Sequence, residues 1–66
     1  MNQVSVNKIL DRISECGADP QIILDMNLDY EVLFYVYSRI EEARLKGSSP
    51  SVSEIFKMIY FRTFKK

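Results

Sequence analysis

Histidine is absent from this 66-residue sequence, and cysteine occurs once, at Cys16. The first absence removes the side chain that most often moves protons near neutral pH. The two together leave no ligand set for a structural zinc site. A lone cysteine closes no internal disulfide, so the thiol is read as reduced, as in the cytoplasm. Glycine occurs twice, too rarely to build a Gly-rich phosphate loop. No run approaches the roughly 20 apolar residues that span a bilayer. Met1 to Asn7 lacks both the basic start and the apolar stretch of a secretory signal. These readings predict a cytoplasmic protein with no membrane partner. Net charge is lacking too: nine Lys and Arg balance nine Asp and Glu, so no bulk field draws the chain to nucleic acid or to an acidic surface.

What is present is apolar surface. A chain that is 47% hydrophobic and 27% charged has the composition of a folding domain rather than a disordered tail. Its length allows one small domain, residues 1–66, whose core is marginal for its size. The balanced charge is unevenly spread. Residues 1–37 carry two cations against six carboxylates, net −4, and residues 38–66 carry seven cations against three carboxylates, net +4. Either the halves compensate each other, across one fold or between subunits, or they form a partner-binding patch.

Periodicity reads as helix throughout. Val6, Ile9, Leu10, Ile13 and Cys16 recur at three- and four-residue spacing behind a Ser5 cap, and Gly17 stops the run. Asp19-Pro20 opens a short second helix over Ile22, Ile23 and Leu24, which Asn27 ends. The third segment starts at Asp29, with Leu28 and Leu33 placed to form a hydrophobic staple, and runs to Gly47. Its stretch Val32-Leu33-Phe34-Tyr35-Val36-Tyr37 has strand propensity. Helix is the better reading, because Ser38 to Lys46 continues through good helix formers without a breaker. Gly47-Ser48-Ser49-Pro50 is a loop. Ser51-Val52-Ser53-Glu54 then has the spacing of a capping box, with Ser49-Pro50 an alternative start. Val52, Ile55, Phe56 and Ile59 form the inner stripe of the last helix, flanked by Met58, Phe61 and Phe64, and Lys65 and Lys66 suit its C-terminus. The expected fold is all-α: a small bundle of three to four helices, the third (about 29–46) central and the last at about 51–65.

No catalytic constellation emerges, so the chain is read as not an enzyme, with no cofactor and no metal. Asp11 with Glu15 and Glu41 with Glu42 fit solvated helix faces, and Cys16 ends an apolar stripe with no base beside it. The informative feature is aromatic. All eight aromatics, Tyr30, Phe34, Tyr35, Tyr37, Phe56, Tyr60, Phe61 and Phe64, fall in the last two helices. Val32 to Tyr37 covers nearly the whole helix circumference, so the third helix is either central or partly turned to another molecule. Oligomerisation is a standard remedy for a marginal core.

The stretch from Glu31 through Ser49-Pro50-Ser51-Val52-Ser53-Glu54-Ile55 resembles the first two helices of the winged helix-turn-helix of LexA-type repressors, in which a helix, a short Gly and Pro turn and an S/T-x-x-E-I start recur. The resemblance covers less than half the chain. The helix before the turn is longer here, and no residues remain for the recognition helix that enters the major groove, so no DNA contact is carried over and no family is assigned.

The expected function is a protein–protein interaction module or small regulator that occludes a partner surface and self-associates, most simply as a homodimer. Its contacts are Tyr35, Tyr37, Tyr60, Phe61 and Phe64, with Arg62 as a charged anchor. Small size, high Lys, Ile and Tyr usage and the missing catalytic groups fit a phage or mobile-element regulator. The alternative is a small nucleic-acid-binding transcriptional regulator that uses the basic second half, where Arg44, Lys46, Lys57, Arg62, Lys65 and Lys66 accompany stackable aromatics.

Overall fold

Most of the helix boundaries are set by a local device written in the sequence. In the computed structural model, which describes residues 4–64, four helices form in the order α1 (Val6–Glu15), α2 (Pro20–Asp25), α3 (Tyr30–Leu45) and α4 (Val52–Phe64). Ser5 caps α1, its Oγ accepting the Lys8 N–H at 3.2 Å. Asp19 caps α2 through the Gln21 N–H at 2.9 Å, with Pro20 in the first turn, where its missing N–H costs nothing. At α4 the capping box closes in both directions: Ser51 Oγ accepts the Glu54 N–H at 3.2 Å, and Glu54 Oε1 accepts the Ser51 N–H at 2.9 Å. Asp29 holds the extended N-cap conformation at α3, yet its side chain makes no capping bond. Its carbonyl starts the helix by accepting the Val32 N–H, leaving the carboxylate to act through the helix dipole alone.

The stops are equally specific. Gly17, at φ 99°, donates to the Ser14 carbonyl, and Ala18 donates to the Ile13 carbonyl, closing a Schellman motif that tucks Ala18 into the core. Gly47, at φ 81°, repeats the motif with Arg44, while Ser48 donates to Ala43. Asn27 ends α2 at φ 55°, the left-handed conformation that asparagine tolerates better than most residues.

Helix α3 is the hub. It packs against α1 on one flank and α4 on the other, while α2 packs on α1. Val32, Leu33, Val36 and Ile40 turn its buried side to Ile9, Leu10 and Ile13 of α1, Ile23 of α2, and Ile55 and Ile59 of α4. Six of the core side chains, Ile9, Ile13, Ile23, Val36, Ile40 and Ile55, are fully enclosed. Burial of one such side chain is worth about 1.5–3 kcal/mol. The α1–α3 flank also holds a charge cluster. Arg12 Nε donates to Glu41 at 2.8 Å, and Arg44 lies 3.5 Å from Glu41 and 3.8 Å from Glu15. The hydrogen bond to Glu41 holds the charge on Arg12 more firmly and raises its pKa against a smaller opposing effect of burial. Among the described residues, no helix is long and apolar enough to cross a membrane. Lys65 and Lys66, read as closing α4, lie outside the described residues.

Candidate interaction surface

Continuous apolar sequence at the start of α3 divides among three environments. Val32, Leu33 and Val36 enter the core. Tyr30, Phe34 and Tyr37, spaced i, i+4 and i+7, form an aromatic row beside α1, with ring centroids 6.0 and 6.2 Å apart. Tyr30 anchors the row, its hydroxyl donating to the Val4 carbonyl. Tyr35 projects to the opposite flank, toward α4, where Arg62 meets its ring.

The six residues expected to make partner contacts therefore do not form one patch. Tyr35 and Arg62 come together: the guanidinium carbon sits 5.0 Å from the Tyr35 ring centroid, a cation–π contact between α3 and α4. Arg62 also lies 4.0 Å from Glu31. Its side chain thus ties two helices of one molecule. Tyr37 is half-buried in the row beside α1. Tyr60, Phe61 and Phe64 share the side of α4 opposite Ile55 and Ile59. At about 100° per residue, positions five, six and nine beyond Ile55 fall on the far arc of the helix. They are 60%, 54% and 71% exposed. The rings of Tyr60 and Phe64 pack against each other, tilted by 42° with centroids 5.1 Å apart, as a small platform. Lys57, also exposed, lies on the same arc.

Helix α2 carries a second apolar surface, which the sequence reading does not assign to contacts. Here Ile22 and Leu24 are each 49% exposed and Met26 is 43% exposed. Helical geometry holds the signal: successive residues turn by about 100°, so Ile22, Ile23 and Leu24 cannot all face one core, and Ile23 takes the inner place. Beside this helix lies a groove of about 310 Å³ between α1, α2 and α3, lined by Val6, Leu10, Ile23, Leu24, Leu28 and Leu33 and closed by Tyr30 and Asn27. Leu28 and Leu33, the staple pair, thus line the groove together.

Charge follows the same division. Residues 19–31 carry Asp19, Asp25, Asp29 and Glu31 and no cation, whereas residues 55–66 carry Lys57, Arg62, Lys65 and Lys66 and no carboxylate. Glu15 with Arg44 and Glu31 with Arg62 compensate each other across the fold. Cys16 stands apart, half-buried at the end of α1. Burial pushes its thiol pKa up, Glu15 adds to the rise, and Arg44 partly offsets it. No protein-family model matches the chain, and neither a curated protein nor a solved structure matches it.

Proposed function

We propose that the chain is a non-enzymatic protein–protein interaction module, a small cytoplasmic regulator that associates with further copies of itself and acts by covering a partner surface. The observation that supports this reading is the outward face of α4. Three aromatic rings lie more than half exposed on one helix arc, while Ile55 and Ile59 on the other arc already secure that helix to the core. Aromatic side chains bring large contact area at low entropy cost, and they dominate interface hot spots. Arg62, occupied by Tyr35 and Glu31, orients α4 on α3 and steadies the face rather than joining it.

Solution mass by light scattering behind size exclusion, over a hundredfold concentration range, tests the reading. The native chain is expected to gain mass with concentration. Phe61→Ala and Phe64→Ala should each weaken association by more than about 1 kcal/mol with helicity intact, because both rings are already more than half in water. A chain that stays monomeric throughout would refute it.

Exposed Lys57 beside Tyr60, Phe61 and Phe64 favours a second reading, a single-stranded nucleic-acid platform. Three of the cations in the basic half, Arg39, Arg44 and Arg62, are engaged with Glu42, Glu41 and Glu31, which weakens that case. Labelled DNA titrated at low salt decides it: phosphate binding must fall steeply with added salt, and flat curves dismiss it.

A further inference from the structure

Lys57 stands unpaired on a face made of rings. At about 100° per residue, Lys57 and Phe64 fall within about 20° of each other on the outward arc of α4, with Tyr60 and Phe61 on either side of that line. Glu54, at the margin of the arc, is engaged at the helix cap, where its carboxylate accepts the Ser51 N–H. Among the described residues Lys57 forms no ion pair, and the cation–π contact within the molecule is that of Arg62 on Tyr35. The arc therefore carries an unpaired cation at one end and an open ring at the other, Phe64, which is 71% exposed. An ammonium is drawn to the face of an aromatic ring, so the two ends are complementary. Seven residues, about 10 Å along the axis, keep them apart on one helix. The complement of this face is the same face turned end for end.

We infer that the outward face of α4 covers the same face of a second copy of this chain, the two helices running antiparallel about a two-fold axis between Tyr60 and Phe61. This rests on the proposed self-association and adds the receiving surface, the orientation and the register. Under that axis the Lys57 ammonium meets the partner's Phe64 ring and Tyr60 meets the partner's Phe61, and symmetry repeats each contact. A parallel pair would set Lys57 against the partner's Lys57 and leave both cations without a ring. At about 200 Å² for each aromatic side chain and the exposures given above, six rings bring roughly 700 Å². That is most of the roughly 1,000 Å² that marks a specific interface, and the aliphatic stems of the two lysines add to it. A contact between identical patches closes at two copies.

Two measurements test the pairing, one of its chemistry and one of its orientation. Lys57→Met removes the charge and keeps an unbranched apolar side chain. If ring burial alone held the copies, this change would strengthen association, because no charge would have to leave water. With each cation seated on a ring it should weaken association about five- to thirtyfold, since two contacts are lost per dimer. Lys57 is exposed, so the fold should tolerate the change, with circular dichroism as the check and Lys57→Gln as the second variant. For orientation, a spin label is placed at Ser53→Cys on the same arc, in a chain that also carries Cys16→Ala. The two labels of an antiparallel pair should stand about 22 Å apart along the axis, whereas those of a parallel pair lie side by side at about 10 Å. The native chain should reach two copies with concentration and grow no further. If it associates but Lys57→Met binds as tightly or more tightly, or the labels lie side by side, or the mass passes two copies, the inference falls and self-association stands. If the native chain stays a monomer, both fall.

Discussion

Replacing Gly47 with alanine tests whether a left-handed residue stops α3. At an ordinary site this exchange stabilises a protein by about 0.4–1 kcal/mol, because it restricts the unfolded chain. Gly47 sits at φ 81°, where a Cβ crowds the backbone and costs about 1–2 kcal/mol. The space around it is open, with nothing within 4 Å of the point where the methyl would stand, so backbone strain alone sets the result. The expected outcome is a net loss near 1 kcal/mol, which in a domain of this size lowers Tm by about 4–8 °C. Gly17→Ala should lose at least as much. Its φ of 99° lies farther from the left-handed minimum, and the new methyl would stand 3.4 Å from Val52 Cγ2. That is ordinary contact with a partly exposed side chain, so the added loss is small. Thermal melts followed by far-UV circular dichroism, with urea titration for the free energy, supply the comparison. An unchanged or raised Tm in both variants would refute the Schellman assignment. A loss at Gly47 well beyond that at Gly17 would show that something other than φ is at work.

Ile59→Ala should cost about 2–5 kcal/mol in urea unfolding, a large part of what a small domain has. Phe61→Ala, two positions on, should leave the unfolding midpoint nearly unchanged. Arg12→Ala and Glu41→Ala should couple in a double-mutant cycle, and the coupling should shrink as salt is added, because the pair is partly exposed; a salt-independent coupling contradicts the geometry. Cys16 should alkylate more slowly in the folded chain than in the unfolded one at mildly alkaline pH. The fold raises its pKa, so the folded state holds the thiol proton more tightly and the associated stability is present below the ordinary thiol range. That stability is lost as pH rises through the folded pKa. Equal alkylation rates in the two states would overturn the assignment.

Helix boundaries are mostly legible in the sequence because most of them rest on short-range chemistry. The Ser51 and Glu54 box, Pro20 after Asp19, and the two glycines specify their ends within four residues. The hub position of α3 is legible as well, since no single stripe accommodates Val32 to Tyr37. The composition of the surface is not. Arg62 looks like an anchor for a partner because sequence does not reveal that Tyr35, a full helix and a loop earlier, places its ring beneath the guanidinium. Tyr37 groups with the α4 aromatics by residue type, whereas its position three residues beyond Phe34 assigns it to the row along α1. The groove is hidden for a related reason: its walls come from three helices, and six-residue α2 is too short for its apolar pattern to be read as an amphipathic face.

Helix α2 has one buried side chain, Ile23, and no hydrophobic stripe to add to it. Segments with few buried apolar contacts open at the lowest free energy, well below global unfolding. Among the four helices α2 is thus the one nearest to local melting, and while it is open Leu10 and Leu33, which line the groove beside Ile23 and Leu24, lose their cover. Amide exchange in residues 20–25 should therefore run faster than in the cores of α1, α3 and α4, and an opening of α2 would expose the α1 and α3 side of the groove without unfolding the rest.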